Sequence, residues 1–344
     1  MRTLTRRELN RALLARQLLL QRAPLALPEA LQRVCGIQAQ YAPSMYFGLW
    51  SRLAGFEPAA LTEALHAREV IQGTLMRVTI HLVSPRDYRP MAVAVREARR
   101  ALWLRSWKEP GAEAMEAAAR TLAERLRDGP LARKDVEALI GKPATRGIHL
   151  WVDLVRVPPS GTWERRRADL YGLAASWLGE AAGPEPEPGE AVDHLVRRYL
   201  EAFGPASRKD VQSFTGLGLT TLKPALERIA TERFLDEDGG VLLDVAGAPL
   251  PDPGTPAPPR LLPTWDATLL VHARRTGVLP ERFRPLIFHT RNPQSTPTFL
   301  VDGEVAGTWR LNDGVFGAEP FERVPAAAMR EVRAEGERLA AAFA

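Results

Sequence analysis

The sequence predicts an α+β protein in which tandem helix–turn–helix units carry β-hairpins and a β-rich cap with a terminal helix closes the chain. Three observations predict it. First, Gly129-Pro-Leu-Ala-Arg-Lys-Asp-Val136 returns 75 residues later as Gly204-Pro-Ala-Ser-Arg-Lys-Asp-Val211, with six of eight positions identical. Second, the apolar spacing after each copy is helical before it turns strand-like. Third, the helical period gives way to strand-like runs beyond Arg260. With 344 residues, 45% hydrophobic and 25% charged, the balance is globular and the chain long enough for several units.

The first unit is expected over residues 1–105. Thr5-Arg-Arg-Glu8 has the form of a capping box, and Leu9, Ala12 and Leu13 follow on one helical face. Pro28–Val34 reads as a second helix, with Pro28 suited to its first turn. Gly73–Val83 alternates and reads as one strand, Arg77, Thr79 and His81 sharing a face.

The second unit is expected over 106–182. Arg133–Ile140 is a short helix, and Ile148, Trp151, Val152 and Val155 repeat the i, i+3, i+4, i+7 helical stripe. A hairpin-like segment then opens at Pro158 and ends in Trp163.

An acidic, proline-rich connector, Gly183–Gly189, leads to a third unit over 190–248. Here Ser207 and Asp210 form a capping box, Gly216-Leu-Gly218 makes a turn, and Leu222, Ala225, Leu226 and Ile229 form a stripe. Arg233–Val245 then folds back around Gly239-Gly240. Helix, turn, helix, hairpin is the order of a winged helix (helix-turn-helix) unit. A second proline-rich stretch, 251–259, precedes the β-rich unit of 260–344. It turns at Asp302-Gly303 and closes with a helix marked by Met329, Val332, Gly336, Leu339 and Phe343.

Charge and cysteine usage narrow the function. The net charge is +5, and six arginines in residues 1–22 face only Glu8, so the basic excess sits at the front of the chain. Such a patch is suited to phosphates. Cys35 is the single cysteine, which rules out an internal disulfide and a cysteine-based zinc site. Histidines 66, 81, 149, 194, 272 and 289 show no metal-binding spacing, so no metal and no cofactor are expected. There is no P-loop, nucleophile elbow or dinucleotide fingerprint. No run approaches a membrane span and the N-terminus lacks an apolar signal core, so a soluble, cytoplasmic, monomeric protein is expected.

The segment Cys35-Gly-Ile-Gln-Ala-Gln-Tyr-Ala-Pro-Ser44 stands out. Taken alone, two glutamines after a helix are the ordinary makings of a surface or a backbone cap. Extended backbone would bring Gln38 and Gln40 to the same side, whereas a helix would set them about 200° apart. Their convergence therefore requires the chain to leave the helix by about Gly36. Paired amides offer two carbonyl acceptors and four N–H donors without charge. They can orient a water but cannot take its proton, which suits a leaving group that already departs readily. The Arg77, Thr79 and His81 face is a candidate phosphate clamp, with a solvated strand face as the plainer reading. Gly161-Thr-Trp163 and Gly307-Thr-Trp309 share a short signature best explained by buried tryptophans.

Several of these pieces resemble the AlkZ-like (YcaQ-like) winged-helix DNA glycosylases, in order along nearly the whole chain. They are Ala15–Leu18, Gly36–Gln40, Gly48–Arg52, Met76–Leu82, Leu262–Asp266 and the Val301–Arg310 hairpin. The resemblance implies tandem winged helices forming a concave DNA-binding surface and hydrolysis of the N-glycosidic bond of alkylated (N7-alkylpurine) nucleotides in double-stranded DNA. Bulky adducts and interstrand crosslinks belong to the family's range. It also implies that Gln38 and Gln40 are the catalytic pair. Val78 departs from the small residue usual in that strand. Arg6, Arg7, Arg11, Arg77, Thr79, His81, Trp309 and Arg310 are the expected DNA contacts.

The alternative is a non-catalytic winged-helix DNA-binding protein or transcription regulator, and a third reading is a protein-binding scaffold. The regulator is disfavoured because the expected reading helix, Thr221–Ala230, offers only Lys223, Glu227 and Arg228 and is interrupted by Pro224.

Overall fold

The computed structural model describes residues 1–107, 109–270, 277–288 and 295–344. Strand β1 (Thr3–Leu4) leads into helix α1 (Arg6–Arg16). The Thr5 hydroxyl accepts from the Glu8 N–H at 3.2 Å, and the Glu8 carboxylate accepts from the Thr5 N–H at 2.8 Å, the reciprocal cap the spacing implied. Next come α2 (Leu27–Arg33), β2 (Ile37–Gln38), α3 (Ala42–Trp50) and α4 (Pro58–His66). Then β3 (Ile71–Thr74), β4 (Ile80–Val83) and the long α5 (Pro85–Ser106) complete the front of the chain.

The next stretch holds α6 (Ala112–Arg125), β5 (Leu131–Ala132), α7 (Arg133–Ile140), β6 (Leu154–Arg156) and β7 (Leu170–Leu173). Strands from both sides of the expected 105/106 division share one six-stranded sheet, in the order β2-β4-β3-β6-β7-β5.

Two sequence expectations fail here for physical reasons. Gly73–Val83 is not one strand. The chain reverses at Leu75–Thr79, where the Leu75 N–H donates to the Thr79 carbonyl at 3.0 Å. Arg77 and Val78 lie in left-handed backbone at φ 54° and 60°. Arg77, Thr79 and His81 therefore do not line one strand face. The Ile148–Val155 stripe is not a helix either: a 3-10 turn at Ile148–Leu150 gives way to β6, which lies between β3 and β7. All four stripe residues are buried, so the periodicity registered burial and mistook its geometry.

Three helices and a hairpin follow: α8 (Pro188–Phe203), α9 (Arg208–Thr215), α10 (Leu219–Ile229), β8 (Glu232–Asp236) and β9 (Val241–Asp244). Ser207 and Asp210 make the reciprocal cap of α9, and Gly216 ends it at φ 75°. The stripe Leu222, Ala225, Leu226 and Ile229 is buried against α8 and α5 neighbours in one core. The chain's start pairs here too, β1 running parallel to β8.

The last unit is a four-stranded antiparallel sheet of β10 (Arg260–Leu262), β11 (Thr298–Val301), β12 (Glu304–Asn312) and β13 (Val315–Pro320). Asp302 and Gly303, at φ 47° and 85°, make the two-residue turn with both central residues left-handed that a tight hairpin favours. Helix α11 (Ala326–Ala342) closes the unit, burying Val332 and Leu339. At Gly336 a Cβ would lie 2.1 Å from the Phe316 ring, so only glycine lets helix and sheet meet so closely. Among the described residues no helix is long and apolar enough to cross a membrane.

Candidate active site

Helix α2 stops at Arg33, and the chain turns through Cys35 and Gly36, both left-handed at φ 60° and 77°. A Cβ at Gly36 would lie 2.8 Å from Val83 Cγ1, so glycine permits both the turn and the close passage of β4. Strand β2 then pairs antiparallel with β4, Ile37 opposite Leu82 and Gln38 opposite His81. The Ala39 N–H extends the pairing to the Ile80 carbonyl at 2.7 Å. The condition for Gln38 and Gln40 to converge is met.

One amide engages the reversal and the other the first residue of β4 that follows it. Arg77 Nη2 donates to Gln38 Oε1, and the Ile80 backbone N–H donates to Gln40 Oε1, each at 3.2 Å. These partners can only donate, so each glutamine presents its oxygen to them, and the amide orientation is set. Each carbonyl keeps one lone pair and each Nε2 two N–H groups. Gln38 is only 7% exposed, whereas Gln40 lies at the surface.

The surroundings are cationic and otherwise neutral. Arg77 Nη1 donates to the Phe214 carbonyl at 2.7 Å, and its guanidinium lies 5.0 Å from the Phe214 ring centre. Burial lowers its pKa to about 10, which leaves it charged at neutral pH. His81 lies beside Gln38 with Nδ1 3.0 Å from the Thr79 carbonyl; a carbonyl only accepts, so the proton sits on Nδ1. Burial first, then the Arg77 charge, lower the His81 pKa to about 3, so the ring is neutral. Burial also raises the Cys35 thiol far above its ordinary range. Among the described residues no carboxylate hydrogen-bonds to either glutamine or to Arg77. The site can hold and polarise a water, and it lacks a strong base.

The expected DNA contacts divide. Arg77 and His81 are corrections: the first is tied to Gln38 and Phe214, and the second is a buried neutral ring, so neither is a phosphate clamp. Thr79 is half-buried beside them, its Oγ1 donating to the Met76 carbonyl. Arg11 is a further correction. It is fully buried, donating to Asp302, Asn10 and the Thr255 carbonyl, because α1 packs against the Asp302-Gly303 turn. Arg7 bridges to Asp302 at 2.8 Å and is half-exposed. Arg6 is exposed near Glu237. Trp309 is buried, its indole N–H donating to the Leu262 carbonyl at 2.9 Å, and Arg310 is exposed.

Sequence reasoning missed Phe214, whose carbonyl and ring seat Arg77. Nothing local links two residues 137 positions apart. Among the described residues no three His, Cys, Asp or Glu side chains cluster as metal ligands; His272 and His289 lie outside the described residues.

A family model described as DNA glycosylase AlkZ-like matches residues 31–342. The interstrand DNA cross-link repair glycosylase of Streptomyces sahachiroi is 24% identical over 355 residues, which cover 94% of this chain and 93% of that protein. The solved structure of Streptomyces sahachiroi DNA glycosylase AlkZ superposes with a TM-score of 0.83 at 20% identity, covering 98% of this chain and 97% of that one. A probable biotin-dependent acyl-coenzyme A carboxylase beta3 subunit of Mycobacterium bovis is 33% identical over 161 residues. That stretch is 45% of this chain and 30% of the carboxylase, too little to speak for the whole.

Proposed function

Because the chain belongs to the AlkZ-like DNA glycosylase family, we propose that it hydrolyses the N-glycosidic bond of N7-alkylated purines in duplex DNA, with Gln38 and Gln40 as the catalytic pair. Interstrand crosslinks fall within that range, as the name of the Streptomyces relative indicates for that protein. The observation that carries the reading is the fixed amide pair, one carbonyl held by Arg77 of the reversal and the other by the first residue of β4, beside a half-buried guanidinium.

The chemistry follows from that inventory. Alkylation at N7 makes the purine cationic, so the C1′–N9 bond breaks with its electron pair going to the base. The sugar cation takes a water oxygen at C1′, and the water's proton leaves to solvent. The free lone pairs of the two carbonyls hold that water. If they supply about 3–4 kcal/mol, the gain is roughly 10²–10³ in rate. That is enough for a weakened bond and far too little for a normal base, so selectivity lies in the lesion's own chemistry. Arg77 is a positioning residue that fixes the Gln38 amide.

Helices α8–α10 with the β8–β9 hairpin follow the order of a winged helix, and we take 190–248 as one such unit on the DNA-facing side. Of the expected contacts, Arg6 and Arg310 keep exposed guanidiniums suited to phosphates. The test is a reaction of purified protein with a duplex carrying N7-methylguanine. Free N7-methylguanine and an abasic site are the expected products; a duplex left intact at high enzyme concentration defeats the proposal.

A further inference from the structure

Helix α5 ends in an apolar tip that the fold leaves uncovered. Leu102, Leu104 and Trp107 are 45%, 43% and 45% exposed, although a helix end in water calls for polar side chains. We propose that Trp107, with Leu104 one turn before it, meets duplex DNA beside the lesion and stacks its indole on a nucleobase. Arg105, Lys142 and Arg146 then take the neighbouring phosphates. This deepens the glycosylase reading and rests on it.

The indole is held firmly from behind. The Trp107 N–H donates to the Trp103 carbonyl at 2.8 Å, and the two rings stack with centroids 5.4 Å apart and planes 21° from parallel. Trp103 is buried with Leu122, Val136 and Trp151 in one core. A Cβ at Gly147 would lie 2.6 Å from the Trp103 ring, so glycine there lets the anchor sit deep. A rigid, half-exposed ring is a platform any base can use, because every base has a π face.

The charge around the tip selects a polyanion. Arg105, Lys142 and Arg146 are exposed and form no hydrogen bond or ion pair among the described residues. The Arg146 guanidinium lies 5.8 Å from the Trp107 ring centre. A helix C-terminus carries partial negative charge, so a neutral base suits the tip itself and phosphates suit the cations beside it.

The tip also adjoins the reversal that holds Gln38. Val78, the residue after Arg77, packs against the core of Trp103. Alongside runs a cleft of about 550 Å³, lined by Ala98, Ala101 and Arg105 of α5 and by Gly216–Gly218. At its Gly216 end a Cβ would lie 3.8 Å from the Arg77 backbone nitrogen.

The experiment uses duplexes carrying a tetrahydrofuran abasic analogue, which cannot be cleaved, with 2-aminopurine placed in turn at positions flanking it on either strand. Binding of the wild type is expected to change the fluorescence at one of these positions. Trp107→Ala should abolish that change and weaken binding about tenfold, and Trp107→Phe should restore both. Arg105→Ala and Arg146→Ala should each lower the slope of log affinity against log salt by about 0.9, a slope Trp107→Ala leaves alone. No fluorescence change with the wild type, or the same change and affinity with Trp107→Ala, overturns the inference. So does a Trp107→Ala variant that only dissociates a dimer of the free protein, which would make the tip a contact between copies. Release of N7-methylguanine by the wild type is measured separately, and its absence strikes the glycosylase reading instead.

Discussion

Arg77 separates two roles that the sequence could not. A phosphate-binding arginine contributes about one unit to the salt dependence of DNA affinity, whereas one that seats a glutamine contributes to rate. Replacing Arg77 by Met is expected to slow base release while leaving the slope of log affinity against log salt unchanged. Arg310→Ala should lower that slope by about 0.9, the share of a single neutralised phosphate. His81 adds a pH signature. Its folded pKa of about 3 lies below the ordinary 6.5, so the unfolded chain binds the extra proton between those values. Stability is therefore fully present above pH 6.5 and falls as the pH drops, by up to about 1.4 kcal/mol per unit from this one group. Urea titrations at pH 7 and pH 5 should show the decline, and His81→Gln should reduce it.

Among the elements, the turn at Cys35–Gly36 decides whether the amides converge. Gly36→Ala would force a Cβ against Val83 at a left-handed backbone position. A loss of about 1–3 kcal/mol is expected by urea unfolding, together with slower base release as β2 shifts. Elements with local chemical signatures were legible in the sequence: the Thr5 and Ser207 caps, the Asp302-Gly303 turn and the Arg233–Val245 hairpin. The Leu75–Thr79 reversal was not, because Arg77 and Val78 occupy positions where glycine or asparagine would normally announce a turn. Nor was β6, since a short stretch buried between two strands has the same apolar spacing as a buried helix.

At the scale of the whole molecule, the basic first helix is a keystone more than a DNA arm. Arg7 and Arg11 grip Asp302 of the C-terminal unit, and Arg16 makes a two-pronged pair with Asp244 of β9, both bonds at 2.8 Å. Arg16 and Asp244 are both buried, so Asp244→Ala would strand a charge and is expected to cost about 3–5 kcal/mol in thermal or urea unfolding. The sequence showed six arginines at the front but not Asp302 and Asp244, which lie more than 200 positions from the arginines that grip them. The glutamine pair was legible as a motif for the same reason in reverse: its two members are neighbours, and only their anchors are distant.

The most direct measurement is single-turnover release of N7-methylguanine from duplex DNA by Gln38→Ala, Gln40→Ala and the double variant, with affinity for the same duplex measured in parallel. Each single change should reduce the rate by about 10²–10³, the double change little further, and binding should hold. Full activity in either single variant, or a rate loss matched by an equal loss of binding, would contradict the account.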